Sequence, residues 1–505
     1  MVYIHSFKEQ SWLLPPSIED LIPEDHICIL VESLIESLDF SSFDIRYEGP
    51  GHPAYHPRIL LKLLVMGVLD RIRSSRKLSR NARENIVYMY LAEKLTPDFR
   101  TISDFRKNNP DLVKEVFKHT VTLARSEGMI DLSHLSTDGS KQKANAANKR
   151  VLTKEELEFL LRFVDDELEE WAKQDDIEDE MFKDMRGSDQ LPNKSRKKIQ
   201  KAVKYYIGKM KKEGDLFKDK TYDKLNQAYE ELEEHELKKV NVTDPESRFM
   251  INKKGGIEFS YNVQITVDGK GFILSNDVSK DETDKKQLQP QVHQTEENVE
   301  ILPEKIPWCF DNGYYESSNI KFLDDKKIDG HIPDNKKKTD GPYSKQHFTY
   351  DLVNDRYICP TGKPVTFLGE HYDKSIKKTA RIYKGQECTN CLHQKMCTKQ
   401  RKGIRYIKSL PYEKERNAMN EKMNTKKGKE IYKLRAITVE PVFGDIKENK
   451  GMRAFLTRSI KTVKTEFNLV CTASNLKKIW IELQKKNNKN RDIFRCFVQF
   501  SNRFV

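Results

Sequence analysis

The chain has 505 residues, 37% of them apolar and 33% charged, with a formal net charge of +12. Its 24 Phe, 20 Tyr and 4 Trp exclude a disordered chain, and its most apolar run, ILLKLLVMGVL at Ile59–Leu69, is too short to span a bilayer and carries a lysine. The excess of base favours a polyanionic partner, nucleic acid ahead of a membrane surface.

The opening MVYIHSFKEQSW lacks the apolar centre of a signal peptide. A cytoplasmic protein is expected, nucleoid-associated when bound to DNA. Its eight cysteines then read as thiols or metal ligands rather than disulfides.

Residues 1–125 read as a helical domain for DNA binding or dimerisation. An amphipathic helix is expected over Ile27–Leu38, then a Gly/Pro/His loop at 47–57 and an apolar helix at 57–72. A further helix runs from Ser74 through Tyr90. Another opens at Thr101–Lys107, with Thr101 or Ser103 as its N-cap. Basic residues near helix starts suit phosphate contact, and a scaffold role is the plainer alternative.

Ile130–Asp138 (IDLSHLSTD) reads as a short strand ending on an acid, with Gly139 turning the chain. Residues 126–149 and 241–333 would form the first part of an α/β core. Between them, 150–240 is a charged helical insertion with a seam of Leu157, Leu160, Leu161, Val164 and Leu168. Its two long helices break at 187–193. Its basic arm, KSRKKIQKAVKYYIGKMKK at 194–212, suits either DNA or solvent.

Phe259–Val267 alternates strictly, and Asp268-Gly269 turns it back into Gly271–Val278, a hairpin. A helix follows at 284–299. Then Ile306–Asp311 (IPWCFD) is a second strand ending on an acid. Crevices at strand carboxyl ends are where α/β sheets place their sites.

Residues 334–428 form a second insertion, opening on Lys336-Lys337-Lys338. Cys359, Cys388, Cys391 and Cys397 fall within it. Cys388-x2-Cys391 has metal-knuckle spacing, and Cys359-Pro-Thr-Gly362 has the turn of a knuckle. A structural Zn2+ on the four thiols is one reading, with His393 a weaker ligand candidate. Reduced structural thiols are the other.

Residues 429–485 return to helix, and 486–505 form a basic tail. Pro441 is expected to kink or restart the helix at Glu440. A long helix follows, with Val463, Phe467, Leu469, Val470, Ala473, Leu476, Ile479 and Leu483 on its core face.

The ordered motifs GHPAYHPRILLKLL, SSRKL, TISDFRK, STDGSK, DPESRF, YNVQITVD, FDNGYY and VEPVFGDIKENKGMRAFLTRS cover nearly the whole chain. Together they resemble the DDE transposases of bacterial insertion sequences, of the IS-four superfamily type with a helical N-terminal domain and a cysteine-bearing insertion. The resemblance implies an RNase H-like mixed-sheet core. It implies catalysis by Asp138, Asp311 and Glu440 holding two Mg2+ or Mn2+ ions, Asp138 bridging both.

Tyr432, Arg435, Glu440 and Lys447 resemble the superfamily signature. The gap from Arg435 to Glu440 is one residue longer than its commonest form. With Lys141, Arg453 and Arg458, Tyr432, Arg435 and Lys447 become DNA-contact candidates.

The implied activity is binding of terminal inverted repeats, metal-dependent hydrolysis at the ends, and joining of 3′-hydroxyls to target DNA. The partners are double-stranded DNA, at the transposon ends and at the target, and a second copy of the chain in a synaptic homodimer. No membrane is involved. A metal-dependent nuclease on the same fold, or a catalytically silent DNA-binding descendant, is the alternative.

Overall fold

The computed structural model describes residues 17–41, 43–44, 54–147, 150–164, 166, 220–252, 255–300, 302–334, 341–351, 353–373 and 378–487. The expected loop at 47–53, Leu168, the break at 187–193, the basic arm at 194–212, Lys336–Lys338 and the tail beyond 487 lie outside the described residues. Two compact units emerge. The first comprises Met1–Leu132, Thr137–Leu302 and Ile437–Val505, and the second Ser133–Ser136 and Pro303–Ala436.

The first unit opens with helices α1 (Ile27–Glu36), α2 (Pro57–Leu69), α3 (Ser75–Glu84), α4 (Ile86–Leu91), α5 (Phe99–Asn108) and α6 (Pro110–Ser126). Several starts are set by local caps. Asn85 Oδ1 accepts from the Val87 and Tyr88 amides, so it ends α3 and begins α4 where one continuous helix was expected. Asp98 caps α5 by accepting from Arg100 and Thr101. Thr101, expected as the cap, instead lies in the first turn and donates its hydroxyl to Asp98. Pro110 opens α6, where its missing N–H costs nothing.

Helix α2 is mostly apolar and is buried from Ile59 to Val68. Of its two charges, Arg58 at the start is only half-buried, whereas Lys62 is buried and lies 2.6 Å from Glu36, 3.3 Å from Glu93 and 3.5 Å from Glu32. A buried ammonium without such partners would be strongly destabilising.

The strands of this unit are β1 (Leu135–Lys143, from Thr137 onward), β2 (Val151–Thr153), β3 (Lys239–Asn241), β4 (Arg248–Ile251), β5 (Ile257–Val267) and β6 (Ile273–Ser279). Long β5 takes β4 antiparallel along its first residues and β6 along its last, with β1 next in strand order. The hairpin turns at Asp268-Gly269 as expected. From Phe259 onward β5 is buried on both faces, not on the single face its alternation suggested. Helix α8 (Leu288–Val299) packs on β5 and β6.

The charged insertion has a small core of its own. The helical run 154–164, α7 (Lys220–Glu234) and the β2–β3 pair bury Leu157, Leu160 and Val164 against Leu225, Leu232 and Val240.

The last helix of the first unit, here α13 (Ile460–Asn487), packs on α6, α2 and β6. Its expected core face is buried throughout. Asn475 on that face accepts from the Ile273 amide at 2.9 Å, and donates to the Ile273 carbonyl at 2.8 Å and to Thr120 Oγ1 at 3.1 Å. Helix, strand and α6 are thereby stitched through one buried amide.

In the second unit, β7 (Pro307–Phe310) lies parallel to β8 (Asp329–His331), joined through α9 (Ser317–Asp325). A separate antiparallel sheet runs β13 (Tyr406–Ser409), β12 (Lys378–Gly385), β11 (Pro364–Asp373), β10 (Arg356–Ile358), β9 (Thr349–Asp351). Short α10 (Gln394–Cys397) lies between β12 and β13 in sequence, and α11 (Glu413–Asn424) follows β13.

Helix α12 (Lys426–Gly444) begins in the second unit and ends in the first. It continues through Pro441 without restarting at Glu440, contrary to expectation. The irregularity comes just after it, as a π-turn over Asp445–Asn449. The fold is mixed α/β with a mixed sheet, antiparallel at β4–β5–β6 and parallel at β7–β8. No helix among the described residues is long and apolar enough to cross a membrane.

Candidate active site

Asp138 sits inside β1, not at its end, because the following Gly139-Ser140-Lys141 continues the strand. Gly139 is there for space rather than for a turn. A Cβ on it would stand 2.4 Å from Gln264 Nε2 and 2.7 Å from Asp284 Oδ1. Strand alternation then puts Asp138, Ser140 and Gln142 on one face and Gly139, Lys141 and Lys143 on the other.

The first face is buried, with Asp138 at 5% exposure. Lys447 Nζ donates to Ser140 Oγ at 2.7 Å, and Gln142 Nε2 donates to the Met452 carbonyl at 2.7 Å. The Phe455 amide donates to the Lys143 carbonyl at 2.9 Å. Residues 447–455 are thus docked along the strand that carries Asp138.

On the other face, Lys141 Nζ lies 3.5 Å from Asp284 Oδ1. The same oxygen accepts from Asn262 at 2.6 Å and Gln264 at 2.8 Å. Burial pulls the Lys141 ammonium below its ordinary pKa, and Asp284 opposes that pull. Lys141 therefore faces Asp284, on the side of β1 opposite Asp138.

Glu440 is exposed on α12, and its carboxylate makes no hydrogen bond or ion pair among the described residues. Lys447 lies seven residues further along the chain, past the end of the α-helix at Gly444. Lys447 falls within the π-turn, a departure that often marks functional positions.

Beyond the π-turn, Arg453 is exposed and pairs with Glu448 at 2.5 Å. Arg458 Nε donates to the Asn145 carbonyl at 3.1 Å. Buried Glu466 holds the loop between them. It accepts from the Leu456 and Thr457 amides, each at 3.0 Å, and lies 2.7 Å from Arg73 Nη1. Arg73 also donates to the Gly451 and Ala454 carbonyls, and Arg106 donates to the Arg73 carbonyl. Two arginines of the helical region are therefore internal braces. The exposed bases of α3 are Arg76, Lys77, Arg80 and Arg83, with the Arg76 guanidinium 4.8 Å over the Phe99 ring.

In the second unit, Asp311 follows β7, as expected. Its Oδ1 accepts from the Asn312 amide at 2.7 Å and lies 3.6 Å from Arg435 Nη2. Arg435 in turn sits 5.8 Å over the Tyr432 ring. Burial pushes the Tyr432 hydroxyl above its ordinary pKa. Cys359, Cys388, Cys391 and Cys397 line one small cavity of this unit. Among the described residues, no three of His, Cys, Asp and Glu are gathered as a finished metal-ligand set.

Residues 358–480 match the family model of the transposase DDE domain, and residues 16–108 match that of a transposase domain (DUF772). These matches support a DDE transposase. Such domains generally use divalent metal ions, and transposases act on DNA. No curated protein matches the chain significantly. The DDE match takes in Tyr432, Arg435, Glu440, Lys447, Arg453, Arg458 and the four clustered cysteines. The second transposase match takes in α1 to α5.

Sequence reasoning missed Ser140, Asp284, Arg73 and Glu466. Ser140 had one signal, its position two residues after Asp138. That signal is readable only once 139–143 is taken as strand.

Proposed function

We propose that this chain is an insertion-sequence transposase of the IS-four superfamily type, with an RNase H-like core. It binds the terminal inverted repeats of its element, hydrolyses DNA at the ends and joins the freed 3′-hydroxyls to target DNA. The observation that carries this reading is the Lys447–Ser140 hydrogen bond. It links the turn following Glu440 to the strand face bearing Asp138.

Asp138, Asp311 and Glu440 would hold the divalent ions, Mg2+ or Mn2+. When bound, two such ions supply an activated water or 3′-hydroxyl and stabilise the leaving oxygen. The remaining work falls to the chain's own residues. Lys447 presents a cation beside the buried Asp138 face and suits a DNA phosphate there. Arg435, beside Asp311, orients that carboxylate and offers a planar guanidinium to backbone oxygens. Tyr432 stacks with Arg435 and offers an aromatic face to a base. Exposed Arg453, with Arg76, Lys77 and Arg80, contacts the DNA backbone away from the acids. Two copies act together on paired ends.

The test uses purified chain, Mg2+, DNA carrying the repeats that flank its gene, and a target plasmid. Joined product is expected. Nicking without joining supports a nuclease instead, and no cleavage with retained binding supports a silent descendant.

A further inference from the structure

Residues 386–406 hold a defined turn and a short helix, yet not one of them is buried. A stretch of this length orders its backbone at a large entropic cost, and apolar burial does not offset that cost here. The neighbouring core is also thin: Phe348, Tyr357, Val365, Tyr383 and Ile407, with Cys359 and Cys397 packed at its edge. Something other than a hydrophobic core must fasten this segment.

The four cysteines converge where that fastening is needed. Cys359, Cys388, Cys391 and Cys397 all line one cavity of about 30 Å³, too small for an organic ligand. Two of the backbone turns present the sulfurs. At Cys359-Pro-Thr-Gly362 the Gly362 amide donates to the Cys359 carbonyl at 2.8 Å, and Gly362 takes φ +82°, which favours glycine. The Lys363 amide donates to Cys359 Sγ at 3.2 Å, which fixes where that sulfur sits. At the second turn the Cys391 amide donates to the Cys388 carbonyl at 3.2 Å. Cys388 Sγ lies so near Gly385 that a Cβ there would stand 2.3 Å from it. Arg405 lines the same cavity and donates to the Cys397 carbonyl at 3.1 Å.

We propose that Cys359, Cys388, Cys391 and Cys397 bind one structural Zn2+. Four thiols release four protons to solvent and four Zn–S bonds form, with no change in oxidation state. The sulfurs share the cavity without yet forming a finished ligand set. The segment around Cys388, Cys391 and Cys397 has no buried side chain to resist closing onto the ion. All seven described cysteines are free thiols, so the set is not committed to disulfides. The ion fastens the lobe and takes no part in DNA chemistry, so zinc content and DNA joining are separate readouts.

The test is metal analysis of the full-length chain purified without chelator. One zinc per chain is expected. The double variant Cys388→Ser/Cys391→Ser should lower it about tenfold or more, while Cys471→Ala, far outside the set, retains it. A mercurial titration of the wild-type chain keeps the test decisive if the double variant fails to fold: zinc should be released in step with modification of four thiols. Zinc-free protein, zinc retained by a folded double variant, or a mass lower by two or four hydrogens from disulfide formation would overturn the proposal.

Discussion

Lys447 Nζ donates to Ser140 Oγ at 2.7 Å, joining positions 307 residues apart. One partner stands two residues after Asp138 and the other seven residues after Glu440. With the Gln142–Met452 and Phe455–Lys143 bonds, it holds the segment that follows Glu440 against the strand that carries Asp138.

Ser140→Ala should remove that alignment while keeping the lysine charge. A lost charged hydrogen bond is worth about 1.5–3 kcal/mol, so joining should fall about tenfold or more. Lys447→Met should cost more, because it also removes the cation offered to phosphate. Single-turnover joining with matched thermal unfolding checks both. Equal activity in Ser140→Ala and wild type would show that the bond has no positioning role.

Gly139→Ala tests the close approach behind Asp138. The added methyl meets Gln264 and Asp284 at 2.4 and 2.7 Å, and Asp284 is already engaged by Asn262, Gln264 and Lys141. Overpacking at such a site destabilises by about 1–3 kcal/mol. Denaturant unfolding should show that loss. Wild-type stability would mean the neighbours yield freely.

The loop 451–458 should depend on one buried carboxylate. Glu466→Ala leaves Arg73 buried without its ion partner and frees the Leu456 and Thr457 amides. Breaking a buried pair from one side costs about 3–5 kcal/mol. Thermal unfolding reads the loss, and Arg73→Ala should give a loss of similar size. A change below about 1 kcal/mol in both variants would contradict the brace.

Much of this was legible in the sequence and some was not, for physical reasons. The hairpin about Asp268-Gly269 follows from its turn residues, and the core face of α13 from helical patterning that burial enforces, whereas β5 is buried on both faces and its alternation marks no single core face. Asp311 was placed correctly because a short apolar strand ended there. Asp138 was misplaced within its strand because Gly139 has two uses, turning and making room, and sequence does not distinguish them. Pro441 misled for a related reason. A proline disfavours the helix interior, yet α12 continues through it, and the departure appears downstream as the π-turn. Arg73 and Arg106 carry no sequence signal for their role: only their ion and carbonyl partners in the fold make them braces.

Stability should also carry a pH signature from Asp268. Burial pushes its carboxyl up to about 6 from 3.8, against amide bonds from Asp131, Phe272 and Lys270. The native state then keeps a proton that the unfolded chain releases. This contribution is fully present below about pH 4 and is lost as pH rises through about 6, with a span approaching about 3 kcal/mol. Asp268→Asn removes the titration. Urea unfolding from pH 4 to 7 should show wild type losing stability relative to the variant as pH rises. A constant difference would contradict it.

The most direct test of the account is strand transfer by Asp138→Asn, Asp311→Asn and Glu440→Gln chains, each given a pre-cleaved repeat end, a supercoiled target and Mg2+. The account predicts that each variant binds the end as wild type does and unfolds at a similar temperature. Each should join at least about a thousandfold less, as expected when a metal-binding carboxylate that stabilises the transition state is lost. Joining at the wild-type rate by any one of the three would contradict a three-carboxylate metal site.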